Sequence, residues 1–187
     1  MKRFSLLFVV SFAAMLALSG CARRINYRLV GVQQAYTLTN LHPDQRRKIL
    51  YSVNYQEDGL IPVCTPVQIQ VVSPKKMIFT RLDTHEQYQY IFHRRSLRAP
   101  IPAHLDKYFG TECPKNVLDR MSQTDMAGIK AGEVHEGMTK DGVILAIGYP
   151  PAHETPDLNA DNWKYWTNHF GTFLVKFQKG YVSEIVQ

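Results

Sequence analysis

Apolar and polar residues alternate strictly along Val67-Gln68-Ile69-Gln70-Val71. That two-residue period is a strand with one face buried and the other wet. Met77 to Leu82 repeats the texture after a Ser73-Pro74-Lys75-Lys76 turn, and Tyr88 to Phe92 after an Asp83-Thr84-His85-Glu86 turn. Tyr51 to Tyr55 precedes a third turn at Glu57-Asp58-Gly59. Short strands at regular spacing predict a small β-barrel or sandwich between Tyr27 and about Phe109. His42 to Lys48 reads as a short helical or turn insertion with Pro43 near its first position. Leu105 to Phe109 reads as a short helix or turn that stops at Gly110.

From Asn116 the period lengthens. Val117, Leu118, Met121 and Ile129 stand at helical spacing, interrupted by Gly128 and Gly132. A better-defined helix follows, with Thr139 as N-cap, Asp141 in its first turn and Val143, Ile144 and Ile147 on its apolar face. Gly148 and Pro150 end it. Trp163 and Tyr165 then share one face of a strand. Thr172 to Phe177 and Tyr181 to Ile185 flank Gln178-Lys179-Gly180 as a hairpin. Trp166 points away from Trp163 and Tyr165. An exposed Trp166 beside Tyr149 and Pro150-Pro151 makes Tyr149 and Trp166 the candidate partner contacts; otherwise Trp166 packs against the barrel.

The chain opens with Met1-Lys2-Arg3, an apolar stretch from Phe4 to Ala17 and then Leu18-Ser19-Gly20-Cys21. A basic start, a short apolar run and small residues at a cleavage point describe a secretory signal peptide over 1-20. The run is short beside the roughly 20 residues a spanning helix needs. Leu-Ser-Gly-Cys resembles the lipobox of bacterial lipoproteins. The resemblance implies that Cys21 becomes the first residue and carries diacylglycerol and palmitate-type acyl chains. Residues 21-26 then serve as a tether. Ala22, which is not Asp, implies sorting to the outer membrane, with the chain facing the periplasm.

Lys and Arg total 22 against 16 Asp and Glu. Lys2 and Arg3 leave with the leader, so the remainder carries a mild net +4. Arg23, Arg24 and Arg28 stand where anionic headgroups would attract them, by about 1 kcal/mol each, or where they simply solubilise the tether. An exported chain has no nucleic acid to meet. Cys64 and Cys113 are the remaining cysteines, an even pair in an oxidising compartment. They are expected to bond, closing a loop of about fifty residues; two buried free thiols are the alternative.

Two resemblances bear on the fold. Leu60-Ile61-Pro62-Val63-Cys64-Thr65-Pro66-Val67-Gln68-Ile69 resembles a recurring segment of SH3-like barrels, with Cys64 where glycine is common. Gly137, Met138, Thr139, Val143, Gly148, Pro150, Trp163, Tyr165, Val175, Phe177, Gly180 and Val182 follow the motif order of the BamE/SmpA-OmlA family of outer-membrane lipoproteins. That resemblance covers about the last seventy residues. It implies two helices packed on a three-stranded antiparallel sheet, and a role as an accessory of the machine that inserts β-barrel proteins. The chain departs from the family pattern in the β-rich part preceding this region, in Gly142 within the helix and in the long loop from Ala152 to Asn162. The expectation is therefore an α+β protein: an SH3-like β-rich domain over 27-112 and a BamE-like domain over 113-187.

No catalytic constellation emerges. His85-Glu86, His135-Glu136 and His153-Glu154 lack the second histidine of a zincin helix. No glycine-rich phosphate loop opens a helix, and no serine sits in a nucleophile elbow. Neither cofactor nor metal is expected. The leading reading is a non-catalytic binding or assembly module of the envelope, anchored in lipid through Cys21 and docking a protein partner or peptidoglycan. Arg46-Arg47-Lys48, Lys75-Lys76 and Arg94-Arg95 supply basic pairs for acidic partners or a solvated positive surface. A structural part of a secretion or appendage complex, and a cell-wall-binding accessory or hydrolase, are the alternatives.

Overall fold

The computed structural model describes residues 24-187. The leader, the 18-21 motif and acylation at Cys21 lie outside them. The described chain is mixed α+β, with a curled six-stranded half-barrel, a three-stranded antiparallel sheet and four helices. The strands are β1 (Ala35–Thr37), β2 (Ile49–Tyr51), β3 (Pro66–Val72), β4 (Lys76–Arg81), β5 (Gln87–Ile91) and β6 (Phe109–Gly110), in spatial order β2-β5-β4-β3-β1-β6. Within this sheet β2 pairs with β5 in parallel, and the other ladders are antiparallel.

Alternation builds β3, but a bulge redirects it. Val67 and Ile69 are buried, and the register with β4 then shifts between Ile69 and Val71. The extra residue hands the inward position to Val72, 1 % exposed, while Val71 is only half-buried. One additional residue on one strand reverses the facing of everything beyond it. The barrel core gathers Phe79, Tyr88, Tyr90 and Phe109, with Phe79 and Phe109 ring centroids 5.4 Å apart, edge to face.

Two sequence expectations shift, and the choice between helix and turn at His42 to Lys48 is settled as a turn. The strand foreseen over Tyr51–Tyr55 ends at Tyr51, because Asn54 turns to φ +59 and spends its side chain on distant carbonyls. His42 to Lys48 forms a turn rather than a helix. Asp44 accepts from the Arg46 and Arg47 amides, and its backbone pairs with Ile49. The helix near Leu105 lies earlier, as α1 (Ile101–Leu105), while Phe109 and Gly110 belong to the sheet.

The helical spacing after Asn116 resolves into two pieces, α2 (Lys115–Leu118) and α3 (Gln123–Ala131). Ser122 and Asp125 form a reciprocal capping box on α3, and Gly132 ends it at φ +73. α4 (Lys140–Ile147) starts at Thr139, whose side chain accepts from the Gly142 amide, and stops at Gly148. β7 (Asn162–Trp166), β8 (Thr172–Gln178) and β9 (Tyr181–Val186) complete the second sheet in that order. Lys179 and Gly180 both take positive φ in the β8–β9 turn, which suits a tight hairpin. Trp163 and Tyr165 are fully buried on the face of β7 that packs on α4. Lys140 Nζ donates to the carbonyls of Leu158, Asn159 and Ala160, fastening the long loop that precedes β7.

Gly142 explains itself by a close approach. A Cβ there would stand 2.0 Å from Asp125 Oδ1. That buried carboxylate accepts from the Thr139 amide and hydroxyl through Oδ1 and from Ser122 through Oδ2, so one side chain ties the starts of α3 and α4 together.

Two hydrophobic clusters result, and a polar seam joins them. The last carbonyls of a helix have no partner within it. For α4 the barrel half supplies them. Asn40 N donates to Leu145 O at 2.8 Å, and Asn40 Nδ2 to Ala146 O at 3.0 Å. Asn54 Nδ2 and Gln56 Nε2 reach Ile147 O at 2.8 and 3.0 Å. Cys64 and Cys113 form a disulfide across the same seam, their Cα atoms 4.8 Å apart. Cys64 sits at φ +66, in the left-handed region that favours glycine.

Candidate functional site

Beside that seam the two halves part into a cleft of about 770 Å³, a size in the range of small-molecule and cofactor sites. One wall is the loop after β2, Gln56 to Leu60, with His42 beneath it. The opposite wall is β8 and β9, through Phe173 and Ile185. The C-terminal end of α3 and the residues after it, Gly132 to Val134, close the end. Leu60, Val134, Ile147, Phe173 and Ile185 make the lining partly apolar. Gly132 packs closely here: a Cβ on it would come within 2.8 Å of Leu60 Cδ1.

Its charge runs against that of the chain. The protein carries net +6, yet Glu57, Asp58 and Glu133 line the cleft, and neither Lys nor Arg does among the described residues. Partial burial, and then the negative charge of Asp44, push the Glu57 carboxyl above its ordinary value. Arg47, the first of the cationic influences on Glu57, is itself paired with Asp44.

Two polar groups on the walls have a defined orientation. Gln56 donates both amide hydrogens, to Asn54 O and Ile147 O, which leaves its buried Oε1 as an acceptor without a protein partner. His42 is 8 % exposed, and burial pulls its pKa below the ordinary histidine value. It is therefore neutral near pH 7, and the Ala146 carbonyl 3.2 Å from Nε2 requires the proton on that nitrogen.

The edge of the second sheet also opens here. Val182 pairs outward with Gly137 and Met138. From Ser183 to Val186, β9 has β8 on one side and no backbone partner on the other among the described residues. Glu133 and Val134 stand away from that stretch across the cleft, into which Ile185 faces.

The hairpin arm from β7 to β8 flanks the cleft through Thr167 and Thr172 and carries Phe170 at its tip, 97 % exposed. Asn168 Oδ1 accepts from the Phe170 and Gly171 amides, and His169 packs at a tilt against Tyr55 with centroids 4.7 Å apart. Tyr55 Oη lies 3.1 Å from His169 Nδ1. The tip is held, so Phe170 is presented rather than left to fold back.

Tyr149 and Trp166, the contacts expected from sequence, are each half-buried. Tyr149 lies edge-on to Tyr108 at 5.7 Å, beneath Lys107. Trp166 bridges to Tyr55 through its backbone, on the barrel side, and its indole N–H is buried. In the sequence Glu57-Asp58-Gly59 carries the signature of a turn and nothing that marks a cleft wall. Phe170 had a signal: a large apolar residue in a turn otherwise made of Asn, His and Gly.

The histidine–acid dipeptides do not converge. Glu86 pairs with Lys48, and Glu154 with Lys164. Among the described residues no group of three or more His, Cys, Asp or Glu is placed to hold a metal, and no helix is long and apolar enough to cross a membrane. No protein-family model, curated protein or solved structure matches the chain.

Proposed function

We propose that this protein is a lipid-anchored lipoprotein of the bacterial outer membrane, facing the periplasm and working as a non-catalytic docking module. The observation that carries the reading is Leu18-Ser19-Gly20-Cys21 behind a basic start and a short apolar stretch. The bond between Cys64 and Cys113 supports it twice. It suits an oxidising compartment, and it uses two of the three cysteines, leaving Cys21 for acylation. The half-barrel is read as SH3-like, with Cys64 taking the left-handed turn where glycine is common. The helices and the β7–β9 sheet are read as BamE-like, with a role beside the β-barrel insertion machinery. A cleft walled by both halves is where such a module would hold a protein partner.

Mass spectrometry of the membrane-extracted protein tests the anchor. A chain that starts at Cys21 with added diacylglycerol and acyl mass is expected, and Cys21→Ser should abolish both cleavage and membrane retention. An unmodified or freely secreted chain overturns the reading. Co-isolation with the β-barrel insertion machinery from detergent extracts tests the partner.

A further inference from the structure

We infer that the cleft binds an extended, basic segment of a partner protein as an added strand on β9. The inference deepens the docking reading above and rests on its non-catalytic, protein-binding part alone. Three features converge. The edge of β9 from Ser183 to Val186 is unpaired among the described residues, and an extended peptide completes such an edge with main-chain hydrogen bonds. Ile185, Phe173, Leu60 and Val134 then receive alternate apolar side chains of the incoming strand.

The charge names the class of occupant. Glu57, Asp58 and Glu133 face the groove from two walls with neither lysine nor arginine among the described lining residues, on a chain whose net charge is positive. An acidic segment would be repelled from the groove, and an uncharged one would leave these carboxylates uncompensated. Gly137 and Met138 already pair with Val182 farther along the same edge. The incoming strand therefore extends a pairing direction that the chain uses on itself.

The probe is a synthetic heptapeptide alternating lysine with valine and phenylalanine, titrated into the folded, disulfide-bonded protein and followed by amide chemical shifts. Saturable shifts at Ile185 and Glu133, absent with the glutamate-alternating counterpart, are expected. Glu57→Gln and Glu133→Gln should each weaken binding roughly two- to fivefold, the range of a solvent-accessible ion pair. N-methylation of alternate peptide amides, which removes main-chain donors without touching the protein, should weaken it at least tenfold.

No saturable binding at millimolar peptide overturns the inference. So does equal binding of the acidic peptide, indifference to N-methylation, or concentration-dependent dimerisation through β9 in place of peptide binding. Acylation of Cys21 reads out separately, so a failed titration and a failed anchor are distinguishable.

Discussion

Asn40 Nδ2 donates to Ala146 O at 3.0 Å across a sequence separation of 106 residues. The same amide also donates to Ile129 O at 2.7 Å, and its Oδ1 accepts from Val63 N at 2.8 Å. One side chain, 1 % exposed, thus satisfies the ends of α3 and α4 and a loop of the barrel. Asn40→Ala strips partners from several buried groups, at about 1–3 kcal/mol for each one left unpaired. A loss of about 3 kcal/mol is expected in urea unfolding. Amide exchange should accelerate first at the C-terminal end of α4, where the barrel's caps are removed.

Gly142→Ala should destabilise, against the helix scale. Alanine in a helix interior is favoured by about 1 kcal/mol, but here the new methyl meets the Asp125 carboxylate. A net loss of about 2 kcal/mol or more is expected. Asp125→Ala made in the Gly142→Ala background should cost less than the same change in the parent. A double-mutant cycle on thermal unfolding reads that coupling directly.

The Cys64–Cys113 bond spans 49 residues, and chain entropy assigns such a loop about 4 kcal/mol as an upper value. The protein should lose much of that under reducing conditions or as a double serine variant. With Cys113→Ser as background, Cys64→Gly should be more stable than Cys64→Ser by about 1 kcal/mol, because position 64 holds φ +66. Equal midpoints for the two would refute the backbone argument.

Stability should fall with acid in a defined window. His104 is pulled down to about 4, by burial first and then by the charge of Lys107. Its ordinary value in an unfolded chain is near 6.5. Between those values the unfolded chain binds the extra proton, so stability rises with pH through the window and is lost as pH drops from 6.5 towards 4. The loss is about 3 kcal/mol. His42, lowered in the same direction by burial, adds to it. His104→Gln, which can keep an acceptor for the Tyr90 hydroxyl 2.9 Å away, should flatten the dependence of the urea midpoint on pH below 6.5.

Local rules reached far along this chain. Thr139 and Gly148 bound α4, Trp163 and Tyr165 are core, and Lys179-Gly180 turns the last hairpin, each as spacing and capping chemistry expected. Such features depend on neighbours within one turn or one strand pair, and a sequence carries those neighbours in order. The exchange of Val71 for Val72 on the inner face, the glycine at 142, the transfer of Asn40, Asn54 and Gln56 to the carbonyls of a helix 91 to 106 residues away, and the acidic cleft beside an open strand edge belong to the tertiary structure alone. Each is set by how closely two separate elements approach. A periodic pattern records which way a side chain faces within its own element, and holds no measure of the distance to the next one.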